Sequence, residues 1–89
     1  MPTKSPKDIV LAAFNYLANV APPTQKISDV RVEEVQSFDE DDATFWKVVL
    51  SYDNIGDFPF DRKREYKEFK VSDTNDMRVI YMKSVDAKK

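Results

Sequence analysis

Trp46, Val48, Leu50 and Tyr52 occupy every second position of one segment, and Phe45, Lys47, Val49 and Ser51 between them mix apolar with polar. Period-two spacing of aromatic and β-branched residues predicts a strand with one buried face, at residues 43–53. Earlier in the chain the period changes. Val10, Ala13, Phe14, Leu17 and Ala21 form one helical stripe, broadened by Ile9, Tyr16 and Val20. Ser5 is placed to accept a first-turn amide, Pro6 suits the first helical position, and Asp8 answers the positive end of the helix. Pro22-Pro23 stops the pattern, because neither ring nitrogen can donate. These signals predict a helix over residues 6–19.

Three further strands are expected. The first, 27–38, has apolar Ile27, Val30, Val32, Val35 and Phe38. Its parity breaks between Val32 and Val35, which predicts a bulge at Glu33-Glu34. The acidic run 39–42 turns into the strong strand. Residues 53–57, with the only glycine, make the next turn, and Pro59 leaves 58–60 irregular. A charged strand, 61–72, carries Tyr66, then Phe69 and Val71, with a second parity change between them. Residues 73–76 turn, with Asn75 expected in the left-handed region. The last strand, 77–85, is expected to point Met77, Val79, Tyr81 and Val85 one way and Ile80 and Met82 the other. Residues 1–4 and 86–89 are expected to fray.

Short links between consecutive strands favour an antiparallel meander. The expected fold is therefore α+β: one N-terminal helix on a curved four-stranded antiparallel sheet, in one domain, 1–89. A helix about 10–12 Å across cannot blanket a sheet roughly 15–20 Å wide, so the sheet must curl. With Trp46, Val48, Leu50, Tyr52, Val79 and Tyr81 under the helix, Phe45, Val49, Tyr66, Ile80 and Met82 are left on the second face. A cluster of that kind marks a partner surface, unless long neighbours such as Lys47 and Lys83 lay their stems across it.

Composition narrows the chemistry. Charged residues make up 34% of the 89, and the net charge is −2, so no strong field draws the chain to polyanions. Cysteine and histidine are both absent. Disulfides, thiolate catalysis and Cys-type zinc sites are thereby excluded, along with the commonest metal ligand and the usual acid–base group near neutral pH. The apolar run 9–14 is too short for a signal peptide or a membrane span, which sets the expectation of a cytoplasmic location.

One helix wrapped by a four-stranded antiparallel sheet, over residues 6–85, resembles the cystatin-like fold. The inhibitory cystatins carry a Gln-Val-x-Val-Gly loop after the first strand. Here that segment is Val35-Gln36-Ser37-Phe38-Asp39-Glu40-Asp41-Asp42, and Trp46 lies in a strand rather than in a Pro-Trp loop. The resemblance thus implies the architecture and not protease inhibition.

No nucleophile–base spacing or phosphate-cradling glycine loop appears, so no catalytic residue, cofactor or metal site is expected. The acids at 39–42 lack the alternation and glycine of a calcium loop. The expected function is a small non-catalytic protein-interaction module, monomeric or weakly homodimeric through the sheet, using Phe45, Val49, Tyr66, Ile80 and Met82. The alternative is a single-stranded nucleic-acid binder using Arg62, Arg64, Tyr66 and Lys67, where cations alternate with an aromatic.

Overall fold

The computed structural model describes residues 3–20, 26–55 and 62–85. The expected helix end at Pro22-Pro23, the turn at Gly56, the irregular 58–60 and the C-terminal 86–89 lie outside the described residues.

Helix α1 (Pro6–Val20) starts where its capping residues place it. The Ser5 hydroxyl oxygen accepts the Asp8 amide at 3.2 Å, and the Ile9 amide donates to the Ser5 carbonyl at 3.1 Å. Four antiparallel strands follow: β1 (Lys26–Glu40), β2 (Ala43–Ile55), β3 (Arg62–Ser72) and β4 (Val79–Val85). They lie in chain order in one open sheet, so the fold is the α+β meander that the pattern predicts.

The β1–β2 connection is a two-residue hairpin loop. Glu40 pairs with Ala43, and Asp41 and Asp42 both take positive φ, 51° and 65°. Left-handed geometry at both loop positions matches the right-handed twist of the flanking strands. Aspartate tolerates it better than bulkier residues do.

Bulges set which side chains face the helix. Glu33 is the extra residue between Val32 and Glu34, where the sequence predicts a bulge. A second irregularity, between Ser28 and Arg31, holds Asp29 at φ 53°. The pairing of β2 with β3 runs without a shift from Phe45–Ser72 to Ile55–Arg62. The parity change expected between Tyr66 and Phe69 is therefore absent: Tyr66 faces away from the helix simply by alternation. The missing irregularity sits in β4 instead, where Lys70 pairs with Tyr81 and Val71 with Val79. Ile80 is thus the extra residue, and the faces of Tyr81, Met82 and Val85 exchange relative to expectation, which puts Val85 beside Tyr66 on the outer face. Met82 packs with the core, while Tyr81 is 39% exposed. In the β3–β4 turn the left-handed residue is Met77, φ 45°, rather than Asn75.

Ile9, Ala13 and Leu17 are buried against Trp46, Val48, Leu50, Tyr52, Phe69 and Val71. The contact stripe is rotated from the expected one, since Phe14 and Val20 are exposed. Ala13 lets the backbone approach the sheet, and Tyr16 turns to meet Phe69 edge-on, with ring centroids 6.4 Å apart. At 1.5 Å per residue the 15-residue helix is about 22 Å long. β1 and β2, of 15 and 13 residues, rise about 3.3 Å per residue and are longer than the helix.

Thr3 and Lys4, inside the stretch expected to fray, are held. Their amides donate to the Asp73 carboxylate at 2.6 and 2.9 Å, and the Trp46 indole N–H donates to it at 3.3 Å. Partial burial pushes the Asp73 pKa up, but these donors outweigh it and leave the carboxyl below its ordinary value.

Candidate interaction surface

Strand alternation sends Phe45, Lys47, Val49 and Ser51 to the face opposite the helix. Their partners across the ladder join them: Glu34 and Glu68 flank Val49, and Tyr66 stands beside Ser51. No element covers this face among the described residues, yet Val49 is only 5% exposed and Ser51 is fully buried. Neighbouring side chains bury them, in three groups along β2.

Near the hairpin loop, Phe38 and Phe45 stack at 5.9 Å between centroids. The Lys70 ammonium lies 4.4 Å from the Phe45 centroid and 2.7 Å from Glu40. A cation over an aromatic face, anchored by a carboxylate, shields both rings from water.

At the far end, the Arg64 guanidinium donates to the Ser51 hydroxyl at 2.6 Å, to Asp53 at 3.2 Å and to the Asp29 carbonyl at 2.8 Å. The Ser51 hydroxyl in turn donates to Glu33. Both bulges of β1 serve this group: one presents the Asp29 carbonyl and carboxylate across β2, the other presents Glu33. This explains a fully buried serine on a strand face, since its hydroxyl both donates a hydrogen bond and accepts one.

Between these groups lies a cavity of about 200 Å³ lined by Glu33, Glu34, Lys47, Val49, Tyr66, Glu68 and Val85. Val49, Val85 and the Tyr66 ring supply apolar wall. The Lys47 ammonium stands 3.5 Å from Glu34 and 3.8 Å from Glu68. Glu68 also accepts the Tyr81 hydroxyl at 2.9 Å and pairs with Lys83 at 3.4 Å. Burial first, and then the Glu68 carboxylate, hold the Tyr81 phenol above its ordinary pKa. Three carboxylates and one ammonium line the cavity, which leaves it net negative.

The structure thus brings together Val49 and Tyr66 of the expected partner residues, with Phe45 beside them on the same face. It does not bring Met82, which lies on the helix side, or Ile80, which is 47% exposed at the β4 edge. Glu33, Glu34, Glu68 and Val85 were missed. Counting back from a two-residue loop at 41–42 would have set Glu34 opposite Val49. The alternative set divides as well. Arg64 and Tyr66 share the outer face, but Lys67 points to the helix side and bonds Ser84 at 2.6 Å; the Arg62 side chain lies outside the described residues. The carboxylates around Tyr66 oppose a phosphate backbone. Among the described residues, no three acidic side chains are grouped to hold a metal ion, and no helix is long and apolar enough to cross a membrane.

No protein-family model matches this chain, and neither a similar curated protein nor a similar solved structure was found.

Proposed function

We propose that this protein is a non-catalytic interaction module, with a cystatin-like arrangement, that engages a partner protein through the outer face of its sheet. The observation that carries the reading is the cavity over Val49. It opens on the face the helix leaves free, and it is lined by two residues, Val49 and Tyr66, that alternation alone marks as partner-facing. At about 200 Å³ it falls below the roughly 300–1,000 Å³ of small-molecule sites, which favours a partner's side chain over a metabolite. The lining offers carboxylates, one lysine and one phenol, with no nucleophile–base pair.

Photo-crosslinking tests this. A benzophenone amino acid at position 66 is expected to capture one defined partner, whereas the same label at position 7 on the exposed helix face captures none. Phe45→Ser combined with Tyr66→Ser should keep the circular dichroism of the wild type and abolish binding of that partner. Equal capture from both faces, or none from position 66, overturns the reading. Sedimentation at several concentrations separates a second copy of this chain from a different partner.

A further inference from the structure

We propose that the cavity over Val49 receives one long basic side chain, lysine or arginine, from the partner protein. The inference rests on the outer-face reading above and adds the occupant.

Size sets the first limit. A space of about 200 Å³ is below the roughly 300–1,000 Å³ of small-molecule sites and suits a single side chain. Chemistry sets the second. An aliphatic stem can lie on Val49, Val85 and the Tyr66 ring, as the stems of lysine and arginine do on apolar surface. Its charged end then meets Glu33, Glu34 and Glu68 at the rim, beside a phenol ring whose face favours cations. Arg64 is engaged with Asp53 at 3.2 Å and Asp29 at 3.3 Å, and Lys83 stands 3.4 Å from Glu68, so three lining carboxylates face two ammonium groups, Lys47 and Lys83.

The chain's own Lys47 shows that the rim holds a cation. Its ammonium stands 3.5 and 3.8 Å from two of the carboxylates, beyond the 2.7–2.9 Å typical of charge-assisted hydrogen bonds. It offsets part of the site's negative charge without closing it. A partner's cation that reaches hydrogen-bond distance displaces Lys47 outward, towards solvent, where its side chain is already 37% exposed. An acidic segment, or a nucleic-acid backbone, meets repulsion at the same place.

The test uses the full chain, labelled with nitrogen-15, and four acetylated pentapeptide amides of sequence Val-Thr-X-Thr-Val. X is lysine, arginine, norleucine or glutamate. The lysine and arginine peptides are expected to shift the amides of Glu34, Val49, Glu68 and Val85, with affinity falling as salt is raised. Norleucine should bind at least tenfold more weakly, and glutamate not measurably. Glu68→Gln should weaken the basic peptides about tenfold. Lys47→Met, which keeps the stem and removes the resident cation, should strengthen them several-fold; a purely structural role for Lys47 predicts no gain. Norleucine binding as well as lysine, shifts elsewhere on the molecule, or silence from all four peptides overturns the proposal. If the peptides fail while position 66 still crosslinks a partner, the occupant is wrong and the interaction face stands. If both fail, both fall.

Discussion

Strand β2 is buried on both of its faces, by different physics. Towards the helix, Val48 and Leu50 are fully enclosed by apolar neighbours. Away from it, Val49 and Ser51 are enclosed almost as fully, by ion pairs, hydrogen bonds and the stems of charged side chains. The first kind of burial is non-directional and scales with area. The second depends on particular atoms meeting, in partly wet surroundings where isolated pairs contribute about 0–1 kcal/mol. One face is a core; the other is a surface held closed by its own charges, which an incoming charge can open.

The comparison can be broken most forcefully at Phe69, fully buried on the helix side. Phe69→Ala should destabilise the fold by about 3–5 kcal/mol in urea unfolding, with little dependence on salt. Next comes Ser51→Ala, which leaves Glu33 and Arg64 without the hydroxyl between them. A loss of about 1–3 kcal/mol is expected, and a double-mutant cycle with Glu33→Gln should reveal coupling between the two sites. If Ser51→Ala proved neutral, the outer face would be mere decoration and the contrast would collapse. Smaller still, Lys70→Met removes the cation over Phe45 and should lower stability by about 0.5–1 kcal/mol at low salt, less at high salt.

The smallest effect concerns Asp73. Its folded pKa is depressed, so its contribution is present above the unfolded value of about 3.9 and is lost as the pH falls through the lower folded value. Acid titration followed by Trp46 fluorescence should show a step below pH 4 that Asp73→Asn abolishes. A step that persists in the variant would mean that another carboxylate holds the N-terminal residues in place.

Legibility in the sequence followed the same divide. The alternation from Trp46 to Tyr52 disclosed its strand because its inward set is uniformly apolar. The bulge at Glu33 was readable because Val32 and Val35 cannot both face inward without it. In β4, Val79, Ile80, Tyr81 and Met82 are all apolar, so either parity satisfies the pattern. The bulge at Ile80 therefore left no trace, and Met82 was assigned to the wrong face. The cavity was half visible. Val49 and Tyr66 followed from period two, but Glu33, Glu34 and Glu68 join them only through register. The group of Ser51, Arg64 and Asp29 was invisible, because its members come from three strands and one of them depends on a left-handed backbone.

The hairpin loop of Asp41 and Asp42 is not the most stable one available. Two aspartates in left-handed geometry are strained relative to Asn-Gly, the pair this turn type favours. Exchanging them should relieve that strain and raise the urea midpoint. The natural loop trades that gain for two negative charges at the tip of the longest hairpin, where they repel the tip of any neighbouring copy. A more stable version of this protein is therefore easy to make, and its expected weakness is sticking to itself in concentrated solution.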